Sequence, residues 1–467
     1  ADVDALDDLA LGHENAVDME ILRSRLSASA FELADLRTPT WDPMVWNPGN
    51  AAYLLLARDV APLGQRLDAL TGRLSAVPGF LADARETLGA MPAVHVETAI
   101  GQLQGTIGLL GDEVDAALSR LADDADAGLV DPTVVSAARD RAIDALREHV
   151  AWLTEALPAA DRDPRLGPEL YAAALWHTLD EAWSPDELLA RAEAEVETLT
   201  ATLESLAAQW LGVAVAGPDD VRRALAELAD DAPVDDTTVL PLSREAYDAL
   251  VRFSDEAGLV TVLDDPVAVV EMPEIHRGVA VAYCDAPGPL ETARVPTFFA
   301  VAPTPSDWDP ARVRSFYREY HGHQLHVLAA HEGVPGHVHQ LAAARRASTP
   351  TRVRALWMSG PFVEGWAVFG EGLVAEAGYE GRGGDRGRLG FLLSRTKMLL
   401  RTALNAVLDV RVHTRGLQES DAMALLTGPG FQEDGEAAGK WRRALLTHGQ
   451  LTTYFVGHHE VSRLDSD

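Results

Sequence analysis

Apolar residues recur every three or four positions along most of the first 215 residues, and this spacing predicts a succession of amphipathic helices. The expected helices cover 1–37, three or four segments between 50 and 158, 169–179 and 185–211. Breaks are expected at Gly72, near Pro78, at Pro92 and at Pro132. The start at 185 is the best marked, because Ser184 can cap the helix and Glu187 stands three residues after that cap.

A run of small and β-branched residues from Gly212 to Pro218 is the best candidate boundary in the chain. It separates a helical front half, 1–215, from a back half, 216–467, which carries the candidate chemistry. We expect both halves to belong to one continuous structural unit.

The pattern changes between 258 and 302, where β-branched and aromatic runs alternate with Pro, Gly and Asp. The expected strands cover 259–263, 267–270, 279–283 and 297–301. They predict a small sheet, which either offers an edge strand to an extended substrate or is purely structural. Further helices are expected over 309–334 and 386–416, the latter ending at Arg415-Gly416.

Composition narrows the classes of function. The chain has 467 residues and a net charge of −33, which argues against binding to nucleic acid or to anionic membrane surfaces. Cys284 is the single cysteine, so no intrachain disulfide can form. The acidic first residues lack the basic flank and apolar core of a signal peptide, and no apolar run is long enough to span a membrane. A cytoplasmic protein is therefore expected, although the chain does not begin with Met.

The strongest chemical signal is the stretch His-Glu-Gly-Val-Pro-Gly-His, residues 331–337, followed by Glu364. Two imidazoles and a carboxylate are typical ligands of a catalytic zinc ion that keeps one position open for water. A regular helix would place His331 and His337 about 120° apart, so it could not direct both to one ion. We infer a helix that breaks at Val334-Pro335-Gly336 and turns His337 back toward His331. The alternative is a helix ending at Gly333, with two incidental histidines.

The segment that begins at Glu364 resembles the second zinc-binding helix of aminopeptidases that carry an Asn-Glu-Gly-Phe-Ala stretch. The resemblance implies that Glu364 binds the metal and that a later glutamate supports a ligand histidine. Here that residue is Glu371, seven positions on and therefore on the same helix face. His321, His323, His326 and His339 are expected to be surface or second-shell residues, because a fourth protein ligand would close the position for water.

The segments 331–340 and 364–367 together resemble the bacterial family called "domain of unknown function 885". The likeness extends to 78–85, 184–189, 409–413 and 449–457. Members are mostly helical and are regarded as candidate zinc peptidases. The resemblance implies a mainly α, metallopeptidase-like body with a central cleft and the small sheet ahead of the metal-binding helix. It also suggests roles for residues of the tail, with Tyr454 as the first candidate donor to an oxyanion and Asp409, His413 and Gln450 as second-shell or substrate residues. His448 is the second candidate donor, although it stands where relatives are expected to have proline.

These observations predict a zinc-dependent hydrolase of peptide or other amide bonds, with Glu332 as general base. Two alternatives remain open. One is a metal-dependent hydrolase or lyase of a small secondary metabolite, and the other is a degenerate scaffold that binds peptides without cutting them. Fe²⁺ or Mn²⁺ would also suit the ligand set. The expected partner is a small peptide or small molecule, with neither nucleic acid nor membrane.

Overall fold

A computed structural model describes residues 11–59, 61–121, 130–272, 281–305, 308–347, 349 and 351–466. The protein is mainly helical, with one small three-stranded sheet, which confirms the fold class expected from the hydrophobic pattern. The central cleft and the likeness to metallopeptidases stay predictions. Among the described residues, no helix has the length and apolar character needed to cross a membrane.

The chain divides into two compact units. Ala30–Pro164 form one, which we call the inserted unit, and the residues on either side, Ala1–Ser29 and Arg165–Asp467, form the main unit. The segment Gly212 to Pro218, where the sequence analysis divides the chain, lies inside the main unit.

Long helices build the inserted unit. They are α2 (Gly49–Ala57), α3 (Leu63–Thr87), α4 (Ala93–Leu121) and α5 (Pro132–Ala156), and α1 (His13–Phe31) precedes them. The helix expected over 1–37 thus ends earlier, in a π-helical turn at Glu32–Leu36, and its first ten residues lie outside the described part. The breaks at Pro92 and Pro132 are confirmed.

The breaks expected at Gly72 and Pro78 are wrong, because α3 continues through both residues. An interior proline costs a helix about 3 kcal/mol. Leu74, Val77 and Leu81 of the same helix are at most 4% exposed, and burying such a stripe of side chains outweighs that local cost.

The helices of the main unit before the metal motif are α6 (Pro168–Leu179), α7 (Pro185–Leu211), α8 (Pro218–Asp231), α9 (Val239–Glu256), α10 (Pro310–Glu319) and α11 (Gly322–Glu332). Those after it are α12 (His337–Arg346), α13 (Val353–Leu356), α14 (Gly360–Glu376), α15 (Gly384–Arg415), α16 (Glu419–Thr427), α17 (Asp434–Leu446) and α18 (Thr453–Ser466). The start of α7 is confirmed, since Ser184 and Glu187 form a reciprocal capping box. The end of α15 is confirmed too, since Gly416 caps it in the left-handed conformation.

The single helix expected over 309–334 is wrong, because α10 and α11 are separate. Tyr320 and His321 leave helical geometry, and the Gly322 N–H donates to the Ala232 carbonyl at 2.7 Å. A side chain at Gly322 would press against Ala232, so this tertiary contact fixes where α11 begins.

The sheet consists of β1 (Val267–Glu271), β2 (Ala282–Asp285) and β3 (Thr297–Val301). The central strand β3 pairs in parallel with β1 and antiparallel with β2, so that Phe299 stands opposite both Val269 and Cys284. The strand expected over 259–263 is absent, and three residues of that segment line a cavity. The strand expected over 279–283 begins at Ala282, and residues 279 and 280 lie outside the described part.

The helix α15 runs through the core of the main unit, where Leu393, Leu400, Leu404 and Leu408 are fully buried. It packs against α7 on one side and against α11 on another, while α14 packs along α18. The helices α11, α12 and α14, which carry the metal motif, are therefore held by buried neighbours.

Candidate metal centre

The predicted break between the two histidines is present. α11 ends at Glu332 and α12 begins at His337, with Val334, Pro335 and Gly336 between them. Gly336 is required here, because a Cβ atom at that position would overlap the carbonyl oxygens of Ala330 and His331. The loop is also held from α14, since Trp366 Nε1 donates to the Pro335 carbonyl at 2.8 Å.

The break brings His331 and His337 together, with ring centroids 4.7 Å apart and ring planes at 86°. The Nε2 atoms of both rings lie 3.5 Å from the same oxygen, Oε2 of Glu364. Two ligands of a tetrahedral zinc ion, each about 2.0–2.1 Å from it, are about 3.3–3.4 Å apart. The three side chains therefore fit a zinc ion in both donor type and separation.

The Oε2 atom of Glu364 supports this interpretation. It is buried and has no hydrogen-bond partner among the described residues. Burial alone would raise the pKa of Glu364, but the imidazoles of His331 and His337 outweigh it and hold the pKa well below its usual range. An uncompensated buried carboxylate oxygen is costly, and a cation shared with the two imidazoles would satisfy it.

Glu332 completes the group. It is 8% exposed. One carboxylate oxygen of Glu332 and one ring nitrogen each of His331 and His337 all lie within 4.8 Å of one another. Glu364 is the better third ligand, because one oxygen faces both Nε2 atoms at equal distance. Glu332 is then a carboxylate beside the three candidate ligands.

Glu371 lies where its spacing from Glu364 predicts. Its Oε1 accepts a hydrogen bond from Nδ1 of His331 at 2.8 Å, and the residue is 2% exposed. If Nδ1 holds the hydrogen, the lone pair of Nε2 points to the metal position. Burial lowers the pKa of His331, but Glu364 and Glu371 outweigh it and raise the pKa well above its ordinary value.

The tail reaches this centre through a contact between glycines. A Cβ atom at Gly365 would overlap the backbone of Gly457, and one at Gly457 would overlap the Pro361 carbonyl, so α14 and α18 cross at backbone contact. This crossing places Tyr454 near Glu364. Burial, followed by the Glu364 charge, raises the pKa of Tyr454, so its hydroxyl keeps its proton and can act as a donor.

The other tail residues lie farther along the same element. Gln450 Oε1 accepts from Arg443 Nη2 at 2.8 Å, and the same nitrogen lies 3.4 Å from the Tyr454 hydroxyl. His448 lies close to Asp409, where its charge acts to lower the pKa of that acid. The structure thus associates Tyr454 with Glu364, and His448 with Asp409.

Asp409 and His413 form a buried network that holds the tail. Asp409 Oδ2 accepts from the Tyr171 hydroxyl at 2.7 Å and from the Gly449 N–H at 2.8 Å. His413 Nε2 lies 2.9 Å from the carbonyl oxygen of Thr447 and its ring stacks on Tyr171. Both residues therefore fix the loop that leads into Tyr454, at one remove from the metal ligands.

The additional histidines near the motif have other partners. His323 Nε2 pairs with Asp231 at 2.9 Å, and His326 Nδ1 pairs with the Tyr379 hydroxyl at 2.8 Å. His339 stacks on Trp366 with ring centroids 6.3 Å apart. His321, His323 and His326 are buried, so a surface position is wrong for those three.

A cavity of about 390 Å³ lies on another side of α12. Its lining consists of Val260, Thr261, Leu263, His339, Ala343, Arg346 and Ala347. The candidate ligands are not part of this lining, so the cavity is separate from the metal centre.

Two features of the centre were missed in the sequence. The crossing of Gly365 and Gly457 joins positions that are remote in the chain, and no local pattern links them. Arg443 stands in a Trp-Arg-Arg run near the tail, but its place beside Tyr454 follows only from the fold.

The fold resembles two solved structures. The first, described as a "putative lipoprotein of unknown function from Shewanella oneidensis", has a TM-score of 0.77 and 26% sequence identity, and the match covers 100% of this chain and 83% of that one. The second, a "putative lipoprotein from Colwellia psychrerythraea", has a TM-score of 0.69 and 15% identity over 89% of this chain and 72% of its own. At that identity, the second shows likeness of fold alone.

The description of the first structure as a lipoprotein contradicts the cytoplasmic location expected from the sequence, which is therefore wrong. The expectation depended on the first residues having neither a basic flank nor an apolar core. The absence of such a pattern does not by itself locate a protein.

No curated protein matches the chain. A family model does, and its description is "Bacterial protein of unknown function (DUF885)". The match covers residues 1–467, so it includes the 331–337 motif, the helix α14 with Glu364 and Glu371, and the tail. The chain therefore belongs to the bacterial DUF885 family, as its motifs predict.

Proposed function

We propose that the protein is a zinc-dependent hydrolase that cleaves a peptide or other amide bond. The observation that carries the proposal is the convergence of His331, His337 and Glu364, with both imidazole Nε2 atoms 3.5 Å from one carboxylate oxygen. Glu332 lies beside this set as an additional carboxylate that the proposed ligand set does not use. A binding scaffold would have no use for that extra buried acid.

His331, His337 and Glu364 would hold the ion, and Glu371 would orient His331. Bound zinc supplies Lewis-acid chemistry, polarising a carbonyl and lowering the pKa of water toward about 7. Fe²⁺ or Mn²⁺ would be held by the same donors, and metal analysis distinguishes them.

The side chains of the chain perform the proton transfers. Glu332 accepts a proton from the attacking water as the new C–O bond forms, and it then delivers that proton to the leaving nitrogen as the amide C–N bond breaks. Tyr454 keeps its hydroxyl hydrogen and donates it to the oxygen on which negative charge develops. The contact between Gly365 and Gly457 fixes the distance between this donor and Glu364.

We also propose that the protein works outside the cytoplasm, as the description of the Shewanella oneidensis neighbour as a lipoprotein suggests. Its single cysteine, Cys284, makes the fold independent of intrachain disulfides and so compatible with an oxidising compartment. Cell fractionation of the natural full-length product tests the location, and recovery in the cytosol alone would contradict it.

The metal site is tested by elemental analysis and zinc titration of the protein and of two matched variants. His337→Ala should lower zinc affinity at least about 100-fold, since it removes a direct ligand rather than a supporting residue. His339→Ala makes the same change two positions along α12 and should leave affinity unchanged. Full zinc occupancy in His337→Ala would show that this ligand set is wrong.

The reaction is tested with peptide pools and a panel of small amides, with products identified by mass spectrometry. Cleavage of peptide bonds that stops on zinc removal and returns on zinc addition supports the proposal. Turnover confined to small molecules would favour the alternative of a metal-dependent hydrolase or lyase of a small secondary metabolite. Bound zinc without turnover across both panels would favour the scaffold.

A further inference from the structure

Arg443 is a half-buried cation close to the candidate metal ligands. It lies in the last turn of α17, and its Nη2 donates to Gln450 Oε1 at 2.8 Å and lies 3.4 Å from the Tyr454 hydroxyl oxygen. Tyr454 in turn lies within electrostatic reach of Glu364. Arg443 therefore contacts a tyrosine that feels the charge of the third candidate ligand.

This guanidinium has no carboxylate partner within 4.0 Å in the part of the chain that the structure describes. The neighbouring cations do have one, since Arg401 and Lys440 share Glu436 at 2.6 and 3.6 Å. Asp409 lies near Arg443, but its Oδ2 is held by Tyr171 and Gly449. Among the residues that the structure describes, only Nη2 of Arg443 contacts acceptors, so most of its five N–H groups have no partner there.

An arginine in this state is unexpected in so acidic a chain, which has 72 acidic and 39 basic residues. The planar fork of a guanidinium matches a carboxylate with two parallel hydrogen bonds. A net charge of −33 repels anions at long range, so an anionic substrate would need a cation inside its binding site.

We propose that Arg443 binds a carboxylate of the substrate, which assigns the substrate class as peptides with a carboxylate one or two residues beyond the scissile amide. This proposal rests on the proposed hydrolase function. An extended residue spans about 3.3–3.6 Å, so a carboxylate one or two residues away lies within about 7 Å of the scissile amide. The carboxylate is either a free C-terminus or an acidic side chain.

The contacts of Arg443 suit this role. Gln450 accepts one N–H and fixes the plane of the guanidinium. Arginine can only donate, so its N–H points to the Tyr454 oxygen and this contact does not use the tyrosine hydrogen. Substrate anchoring and oxyanion donation would then occur side by side.

The test uses three equimolar pools of N-acetylated tetrapeptides. The first ends in a free carboxylate, the second in an amide, and the third in an amide preceded by glutamate. Zinc-loaded Glu332→Gln protein selects peptides from the mixture, and mass spectrometry measures the bound ratio. We expect about 10- to 100-fold enrichment of a carboxylate pool over the neutral amide pool, as for a charge-assisted pair. Enrichment of the first pool identifies a C-terminus, and enrichment of the third identifies an acidic side chain.

Variants made in the same protein assign the effect to Arg443. Arg443→Gln should bring the bound ratio close to one, and Arg443→Lys should retain part of it, because a point charge lacks the fork. Arg442→Gln removes the same charge from an exposed neighbour and should leave the ratio unchanged. A purely structural role would lower binding of all pools equally. If Arg443→Gln fails to fold, two measurements still test the proposal. They are the bound ratio of carboxylate to amide pools in the Glu332→Gln protein and the fall of that ratio in Arg443→Lys.

Cleavage by the protein with Glu332 intact is measured separately. Enrichment that Arg443→Gln abolishes, without any cleavage, supports the carboxylate site while rejecting the hydrolase. Cleavage with equal preference for all pools supports the hydrolase and overturns the role of Arg443. Failure to bind or cut any pool overturns both.

Discussion

Glu332 and Glu364 are two carboxylates beside the same pair of imidazoles, and their surroundings give them different chemistry. One oxygen of Glu364 faces both Nε2 atoms and has no other partner among the described residues. Glu332 follows His331 directly at the end of α11 and contributes to the same cluster from its own side. Residue type alone could not show which glutamate is the candidate ligand and which is the candidate base. Their positions in the fold distinguish the two.

Glu332→Gln tests the division. The amide has the same shape but cannot accept the water proton, so turnover should fall by about 10²–10⁴. Zinc content and melting temperature should stay close to those of the parent. Glu376→Gln, on the exposed end of α14, is the matched control. Turnover within a few-fold of the parent would remove Glu332 from the mechanism.

Asp409 is a buried acid whose titration should appear in stability rather than in chemistry. Burial raises its pKa to about 6, although Tyr171 and Gly449 donate to it. An acid whose pKa is higher in the folded state stabilises the fold while protonated, and this contribution is lost as the pH rises through the folded pKa.

The free energy of unfolding should therefore contain a term from Asp409 that falls by about 3 kcal/mol between roughly pH 4 and pH 7, as a shift of about two units implies. Asp409→Asn keeps an acceptor oxygen for Tyr171 and Gly449 and should remove that term. Urea unfolding at several pH values measures it, with the exposed Asp421→Asn as control. Parallel pH profiles for parent and Asp409→Asn would refute the assignment.

Helix ends and breaks that depend on neighbouring residues in the chain were predicted correctly from the sequence. Short sequence segments predicted three such features: the capping box of α7, the left-handed end of α15 and the break between α11 and α12. The continuity of α3 through Pro78 was not, because burial of its apolar stripe decides it. The separation of α10 from α11 depends on Ala232, which is remote in the chain.

Gly336→Ala tests the break between α11 and α12. The added methyl would overlap two carbonyl oxygens of α11, so the backbone must shift and carry His337 with it. Zinc affinity should fall at least about tenfold, and stability should fall by about 1–3 kcal/mol as in other overpacked sites. Isothermal titration and thermal melting measure the two effects.

Gly439→Ala is the matched control, because a Cβ atom at this position in α17 meets open space. It should leave zinc affinity unchanged and raise stability by about 0.5–1 kcal/mol, as alanine does inside a helix. Equal effects of the two substitutions would show that the loop can accommodate a side chain.

At the scale of the whole molecule, charge dominates what composition can predict. A surplus of 33 negative charges opposes compaction through mutual repulsion, and salt screens that repulsion. The same surplus directed the sequence analysis away from nucleic acid, but it gave no sign of where the protein works. The break that brings His331 and His337 together was predictable, because Pro335 and Gly336 stand between them in the sequence. The position of Arg443 was not, since it depends on how α17 and α18 meet.

The melting temperature should therefore rise as sodium chloride increases from about 10 to 150 mM, over which the Debye length shrinks from about 30 to 8 Å. A rise of a few degrees is expected by differential scanning calorimetry. Potassium chloride at equal ionic strength should give the same shift, because screening does not depend on the cation. A flat or falling melting temperature would mean that surface ion pairs outweigh the net repulsion.

The division of the main unit around the inserted unit has a consequence for biosynthesis. Ala30–Pro164 are contiguous and can fold as soon as the ribosome releases them. Asp18, however, must wait for its partner Arg354, and α14 must wait for α18, which the ribosome makes later. The contact between Gly365 and Gly457 therefore forms only after α18 has left the ribosome. A chain stalled before α18 would expose the apolar face of α14, and would be a client for chaperones and proteases.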